Sequence, residues 1–219
     1  MKAHVVGIAL GALAATPALA GVADGPKHVH RVFDIIRGDS KIGSDTFDVT
    51  RNGDATDVKI TTHITVKIAF ITAYRYDHTE SESWKGDQLV AFHSTTNDNG
   101  TDHDLSASMT GGKIALQVDG KPTVLPKGIM PASVWTSEIA KRAQLFDPAN
   151  GKRMAVRAQD LGEETVALNG VPHPLDHVKL SGQFDRDLWF DNQGLVKMTL
   201  RGSDNSVITS ELRQSTAAR

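Results

Sequence analysis

Strict alternation is the feature that most narrows what this chain can fold into. In the stretch Val58 to Ile68, the residues Val58, Ile60, Ile64, Val66 and Ile68 fall on one side of an extended backbone. Lys59, Thr61, His63, Thr65 and Lys67 fall on the other. Successive strand side chains point to opposite faces, so period two with β-branched residues marks a sheet with one wet face. Phe47-Asp48-Val49-Thr50-Arg51 repeats the pattern, as does the run from Val32 to Ile36. Turn pairs separate the apolar runs: Asn52-Gly53, Asn99-Gly100, Asp119-Gly120, Asn169-Gly170 and Gln193-Gly194. Asn-Gly and Asp-Gly tolerate the positive φ that tight hairpins need. Their close spacing makes consecutive strands antiparallel neighbours. The fold class predicted is mainly β, a bent antiparallel meander sheet or half-barrel. Ala73–Trp84 and Gln88–Thr96 are long strands, as a curled sheet requires.

One segment departs from period two. After Pro131-Ala132, Ser133 offers an N-cap oxygen, and Trp135, Ile139, Ala143 and Phe146 recur at helical spacing until Asp147-Pro148. The spacing predicts one helix over Ser133–Phe146, about three turns long, covering the concave face of the sheet.

The N-terminus reads as an address. Lys2 precedes the small, apolar run from Val5 to Ala15; Thr16-Pro17 breaks it, and Ala18-Leu19-Ala20 has the small-x-small form that signal peptidase accepts. The run is too short to span a bilayer, which takes about 20 apolar residues. Residues 1–20 are therefore expected to be a signal peptide cleaved after Ala20, and residues 21–219 a single β-rich domain in the periplasm. The chain has no cysteine, which removes disulfides, thiolate metal sites and cysteine nucleophiles together. An exported protein without disulfides fits a bacterial envelope. The net charge of −2 gives no electrostatic case for binding nucleic acid.

Chemical motifs are absent. There is no Gly-x-Ser-x-Gly elbow, no phosphate-binding glycine loop and no dinucleotide fingerprint. His28-Val29-His30 has a workable spacing for two metal ligands, but a site needs three or four. His173 and His177 straddle Pro174, so they do not form a helical ligand pair. No catalytic residue, metal or cofactor is assigned. The large aromatics carry more weight. Trp135, Ile139 and Phe146 on the helix, with Trp84, Phe92 and Trp189 on strands, are the candidate ligand-lining residues. They line an apolar cavity if the helix is a movable lid, and form plain core if it is a fixed plug.

The second half carries a family likeness. Leu145-Phe146-Asp147-Pro148-x-x-Gly151, Leu161-Gly162-x-Glu164-x-Val166, Asn169-Gly170 and Asp187-Leu188-Trp189-Phe190-Asp191-x-x-Gly194-Leu195-Val196 lead to a Gly202-Ser203-Asp204 hairpin. With Pro131-x-Ser133-x-Trp135, this run resembles a family of secreted bacterial β-proteins of unassigned function. Those proteins are similar in architecture to periplasmic lipoprotein carriers, half-barrels with a greasy concave face. The resemblance implies a fold and no activity.

Three functions remain open. The first is a non-enzymatic binder or carrier of an apolar ligand, a lipid or acyl chain. The second is an envelope module that docks a protein partner through a strand edge or through the polar face of Thr61, His63, Thr65 and Lys67. The third is an atypical enzyme using His63, His93 or His177 as acid–base groups.

Overall fold

A computed structural model of the chain describes residues 27–218 except residues 112, 127 and 203. The expected signal peptide lies outside the described residues. Fifteen strands follow in order: β1 (Lys27–Arg37), β2 (Ser40–Asn52), β3 (Ala55–Ile68), β4 (Ile71–Lys85), β5 (Gln88–Asp98), β6 (Thr101–Thr110), β7 (Lys113–Val118) and β8 (Lys121–Leu125) form the first run. The second run is β9 (Met130–Pro131), β10 (Gln144–Phe146), β11 (Arg153–Leu168), β12 (Val171–Gly182), β13 (Arg186–Asp191), β14 (Gly194–Arg201) and β15 (Val207–Ala218).

All fifteen join in one open sheet, ordered β8-β7-β6-β5-β4-β3-β2-β1-β15-β14-β13-β12-β11-β10-β9. The expected meander is present twice. Each half runs outward hairpin by hairpin, and the halves meet where β1 pairs antiparallel with β15. Among the described residues, only β9 and β10 pair in parallel. An ion pair with a buried cation reinforces the seam: the Arg31 guanidinium donates to both carboxylate oxygens of the half-buried Asp191 at 2.7 Å and to the Leu195 carbonyl. The turn chemistry is as read, with Asn99 at φ 51° and Gly100 at φ 94°.

Alternation decides which side is buried. Val29, Arg31, Phe33 and Ile35 of β1 face in, as do Phe47 and Val49 of β2 and Val58 and Ile60 of β3. Segment 129–146 lies against this inner face. Its Ile129, Met130, Trp135, Ile139, Leu145 and Phe146 share one apolar cluster with residues from both halves of the sheet. Phe146 meets Phe92 edge-on with ring centroids 5.1 Å apart, and Trp135 meets Trp84 at 6.2 Å. Ser94 of β5 donates to the Pro148 carbonyl at 2.6 Å, and Gly151 lies against Leu116 and Val118, so the second half's edge reaches across to β5 and β7. A smaller cluster gathers Val166, Leu168, Leu175 and Val196, with Trp189 and Leu212 packed on it.

The helix expected over Ser133–Phe146 is not formed. A five-residue 3-10 turn, Ser137–Lys141, stands in its place, capped by the Thr136 hydroxyl and ended by Arg142 in extended geometry. The backbone on either side is committed sideways. The Ala132 N–H donates to the Phe146 carbonyl at 2.9 Å, the Val156 N–H donates to the Ala143 carbonyl at 3.0 Å, and Leu145 pairs with both Met130 and Met154. Residues 144–146 are thereby held extended as β10 between β9 and β11, so the last turn of the expected helix cannot form. Trp135, Ile139 and Phe146 are nonetheless all buried, so the helical spacing recorded burial along an irregular path. Among the described residues, no helix is long and apolar enough to cross a membrane.

Candidate functional site

The inner face is not uniformly apolar. Strand β4 turns Tyr76, His78, Glu80, Glu82 and Trp84 inward, and His78, Glu80 and Glu82 are each buried to 5% exposure or less. Sheet register stacks them in rows. Asp45, Thr62, His78 and Thr96 lie side by side across β2 to β5; Phe47, Ile60, Glu80 and Ser94 form the next row, and Val49, Val58, Glu82 and Phe92 the next.

The hydrogen bonds differ in completeness from row to row. Asp45 accepts from Thr62 at 2.6 Å and from Ser210 at 2.8 Å. Glu82 is fully occupied: Ser133 Oγ donates to Oε1, while the indoles of Trp84 and Trp135 donate to Oε2 at 2.5 and 2.9 Å. Thus Ser133 and Trp135 of the plug are fastened to the sheet by a carboxyl group. Glu80 is half-served. Its Oε2 lies 3.3 Å from His78 Nε2, whose Nδ1 is 2.8 Å from Thr96 Oγ1; its Oε1 is buried with no N–H donor, and the carboxyl shares its remaining hydrogen bonding with the Glu82 carboxyl and Ser133. A buried oxygen short of donors costs free energy, so it calls for an explanation.

Glu80 borders a hollow of about 270 Å³. The walls are mostly apolar, with Ile35, Phe47, Ile60, Met198, Leu200 and Ile208 among them, and Asp45, His78, Asp147 and Arg186 supply polar points. Burial sets the protonation of these groups. It pushes Glu80 up to about 7, against hydrogen bonds with Glu82 and Ser133 and with the Asp147 charge adding to the rise, and it raises Glu82 well above the usual carboxylate range, helped by the charge of Glu80 and by the hydrogen bond between the two carboxyl groups. Burial also raises Asp45, against the hydrogen bonds from Thr62 and Ser210. It holds His78 down to about 4, although Asp147 and Asp45 pull the other way, so at neutral pH this imidazole is uncharged. Arg186 stacks over Phe184 with its guanidinium carbon 4.4 Å from the ring centroid. The arrangement offers hydrogen-bond acceptance deep inside an apolar space, and a proton reservoir near neutrality.

The residues singled out from sequence lie elsewhere. Trp84, Phe92, Trp135, Ile139 and Phe146 sit in the packed main cluster, and Trp189 belongs to the smaller one; none of the six borders the hollow. His63 pairs with Asp77 at 2.7 Å and His93 with Asp104 at 3.5 Å, both exposed. His177 lies between Glu164 at 2.8 Å and Asp187 at 3.1 Å, stacked on Trp189. These three histidines sit on β3, β5 and β12 and do not converge. His28 and His30 both turn toward Asp48 Oδ1, at 3.1 and 2.7 Å. Among the described residues, no group of three or more histidines and carboxylates has a geometry that could hold a metal ion.

Fold and hollow together define a class: an open, mainly antiparallel β-sheet packed around its own mid-chain segment, with a small polar-pointed cavity beside it. The chain belongs to the family described as Domain of unknown function (DUF6134), whose model matches residues 33–213 and so spans every residue named at the hollow. Comparison with curated proteins finds no match.

Proposed function

We propose that this is an exported, periplasmic binder or carrier of a small amphipathic ligand, a single-chain lipid or acyl compound. The sheet serves as a half-barrel, and the hollow beside the plug holds the ligand. The apolar tail lies along Phe47, Ile60, Met198, Leu200 and Ile208, and a hydroxyl or amino head donates a hydrogen bond to Glu80. The observation that carries the reading is the Glu80 carboxyl, buried at the wall of a mostly apolar space with an Oε1 that no N–H donor reaches. A ligand donor there offsets the cost of an under-served acceptor. The volume of about 270 Å³ suits one such chain, near the lower bound of roughly 300 Å³ for small-molecule sites. The apolar N-terminal run ending in Ala18-Leu19-Ala20 supports export.

Titration calorimetry with straight-chain primary alcohols of increasing length tests this. Binding is saturable at one site and tightens by about 0.8 kcal/mol per buried methylene until the hollow is full. Glu80→Leu removes the preference for an alcohol over the matching alkane and keeps the dependence on length. Absence of saturable binding for every alcohol in the series overturns the proposal.

A second reading has its own support. A neutral histidine beside a carboxyl group that keeps its proton up to about 7 is an acid–base pair in form, so His78 and Glu80 replace His63, His93 and His177 as the groups an enzyme would use. In that case Glu80→Gln abolishes turnover of a bound ligand and leaves its affinity in place.

A further inference from the structure

The far end of the β3–β4 hairpin stands away from the sheet. β2 pairs with β3 only as far as Gly43–Ile64, and β5 pairs with β4 only from Tyr76 onward. The last outside backbone tether is the Asn99 N–H, which donates to the Arg75 carbonyl at 2.8 Å. Residues 65–74 therefore form a two-stranded finger whose backbone ladder pairs only with itself, with Tyr74 at its base hydrogen-bonded to Asp98 of β5. At its tip, Ile68 is 70% exposed, Ile71 75% and Phe70 fully exposed, around a turn with Ala69 at φ 54°. Three large apolar side chains together in water need a reason.

Charge points to what covers them. The finger contains no acidic residue, and its Lys67 has no ion-pair partner among the described residues. At its root lies a cleft against the β1–β2 hairpin, bordered by Arg37, Lys41, Lys67 and His63 and by no carboxylate. Asp204 and Asp34 bind Arg37 and Lys41 from outside that cleft. A narrow apolar tip with Lys67 beside it, above a cleft whose own lining holds no carboxylate, matches the layering of an anionic bilayer, where headgroups cover an apolar interior. It does not match a flat protein surface, which a single projecting tip touches at one point.

We propose that the finger docks the protein on an anionic lipid surface. Ile68, Phe70 and Ile71 enter the interfacial region, and Lys67 with Lys41 and Arg37 meets the headgroups. The inner row of the same hairpin continues from the tip through Val66 and Ile64 to Thr62 and His78, and Ile64 already borders the hollow. Docking by the finger thus turns the rim of the hollow toward the bilayer. That route for a ligand rests on the binding function proposed above; the docking itself does not.

Vesicle flotation of the whole protein tests the inference, with phosphatidylcholine vesicles prepared with and without phosphatidylglycerol. The protein floats with the phosphatidylglycerol vesicles. The triple variant Ile68→Ser, Phe70→Ser, Ile71→Ser loses roughly tenfold or more of that binding. It keeps its circular dichroism spectrum, because the three side chains are mostly exposed. Lys67→Glu removes the preference for phosphatidylglycerol. Met198→Trp, which fills the hollow, floats like the unaltered protein, so failure of the ligand site and failure of docking give different results. Failure to float with either vesicle, or equal flotation of the triple variant, overturns the inference. So does a concentration-dependent dimer in sedimentation velocity that the triple variant abolishes, since the finger then pairs with a second copy of the chain.

Discussion

Toward the middle of the β3–β4 hairpin, His78, Glu80 and Glu82 are buried among apolar side chains; at its tip, Ile68, Phe70 and Ile71 stand in water. Both arrangements invert the ordinary partition of side chains, and they do so in opposite senses. Within the buried region a further difference separates two neighbours on one strand. Glu82 has every bond filled, by Ser133, Trp84 and Trp135, and so holds the plug on the sheet. Glu80 keeps one oxygen that no N–H donor reaches at the wall of the hollow. A filled network accounts for itself as structure; the binding proposed above rests on the less complete one and on the bare apolar tip.

Substitutions can break this comparison, beginning with those of largest effect. Phe146→Ala empties a fully buried site where the plug meets Phe92, and chemical denaturation shows a loss of about 3–5 kcal/mol. A loss under about 1 kcal/mol would mean that segment 129–146 is a loosely held cover. Next comes the pH response of Glu80. Its folded value is raised to about 7 from 4.5, so the folded chain holds a proton that the unfolded chain has released. Its contribution to stability is therefore favourable at low pH and is lost as pH rises from 4.5 through 7. Relative to the unaltered protein, Glu80→Gln gains on the order of 3 kcal/mol across that window. His78 works the other way. Held down to about 4 from 6.5, it refuses a proton that the unfolded chain accepts, so its contribution is lost as pH falls from 6.5 to 4. His78→Gln removes that loss. If both variants track the unaltered protein at all pH values, neither group is buried as described.

Smaller effects sharpen the contrast between Glu82 and the tip. Ser133→Ala leaves Glu82 Oε1 without its donor in a buried setting and costs about 1–3 kcal/mol by thermal or urea unfolding. The triple serine substitution at Ile68, Phe70 and Ile71 changes stability by no more than about 0.5 kcal/mol per site, because all three are mostly exposed. A large loss there would show that the tip is structural.

Much of this molecule was legible in period two. The meander, the hairpin at Asn99-Gly100 and the inward positions Phe47 and Val49 of β2 and Val58 and Ile60 of β3 follow from alternation and turn chemistry. Three things did not, each for a physical reason. The helix reading failed because Trp135, Ile139 and Phe146 obey helical spacing while their backbone pairs laterally; spacing reports burial and says nothing about where the N–H groups go. The buried row of β4 stayed hidden because both of its faces are polar. Arg75, Asp77, Thr79, Ser81 and Ser83 alternate with Tyr76, His78, Glu80 and Glu82, so only Trp84 and Tyr76 hinted at which face turns inward. The tip of the finger went unmarked because Ile68-Ala69-Phe70-Ile71 contains no glycine, asparagine or proline, although Ala69 adopts the positive φ that those residues favour.

Native mass spectrometry of the protein, purified without delipidation, bears most directly on the claim that the hollow at Glu80 is a ligand site. The account predicts one bound molecule per chain, lost from Met198→Trp and retained by the triple serine variant of the finger. A bare chain mass for the unaltered protein, or an adduct that Met198→Trp keeps, would contradict it.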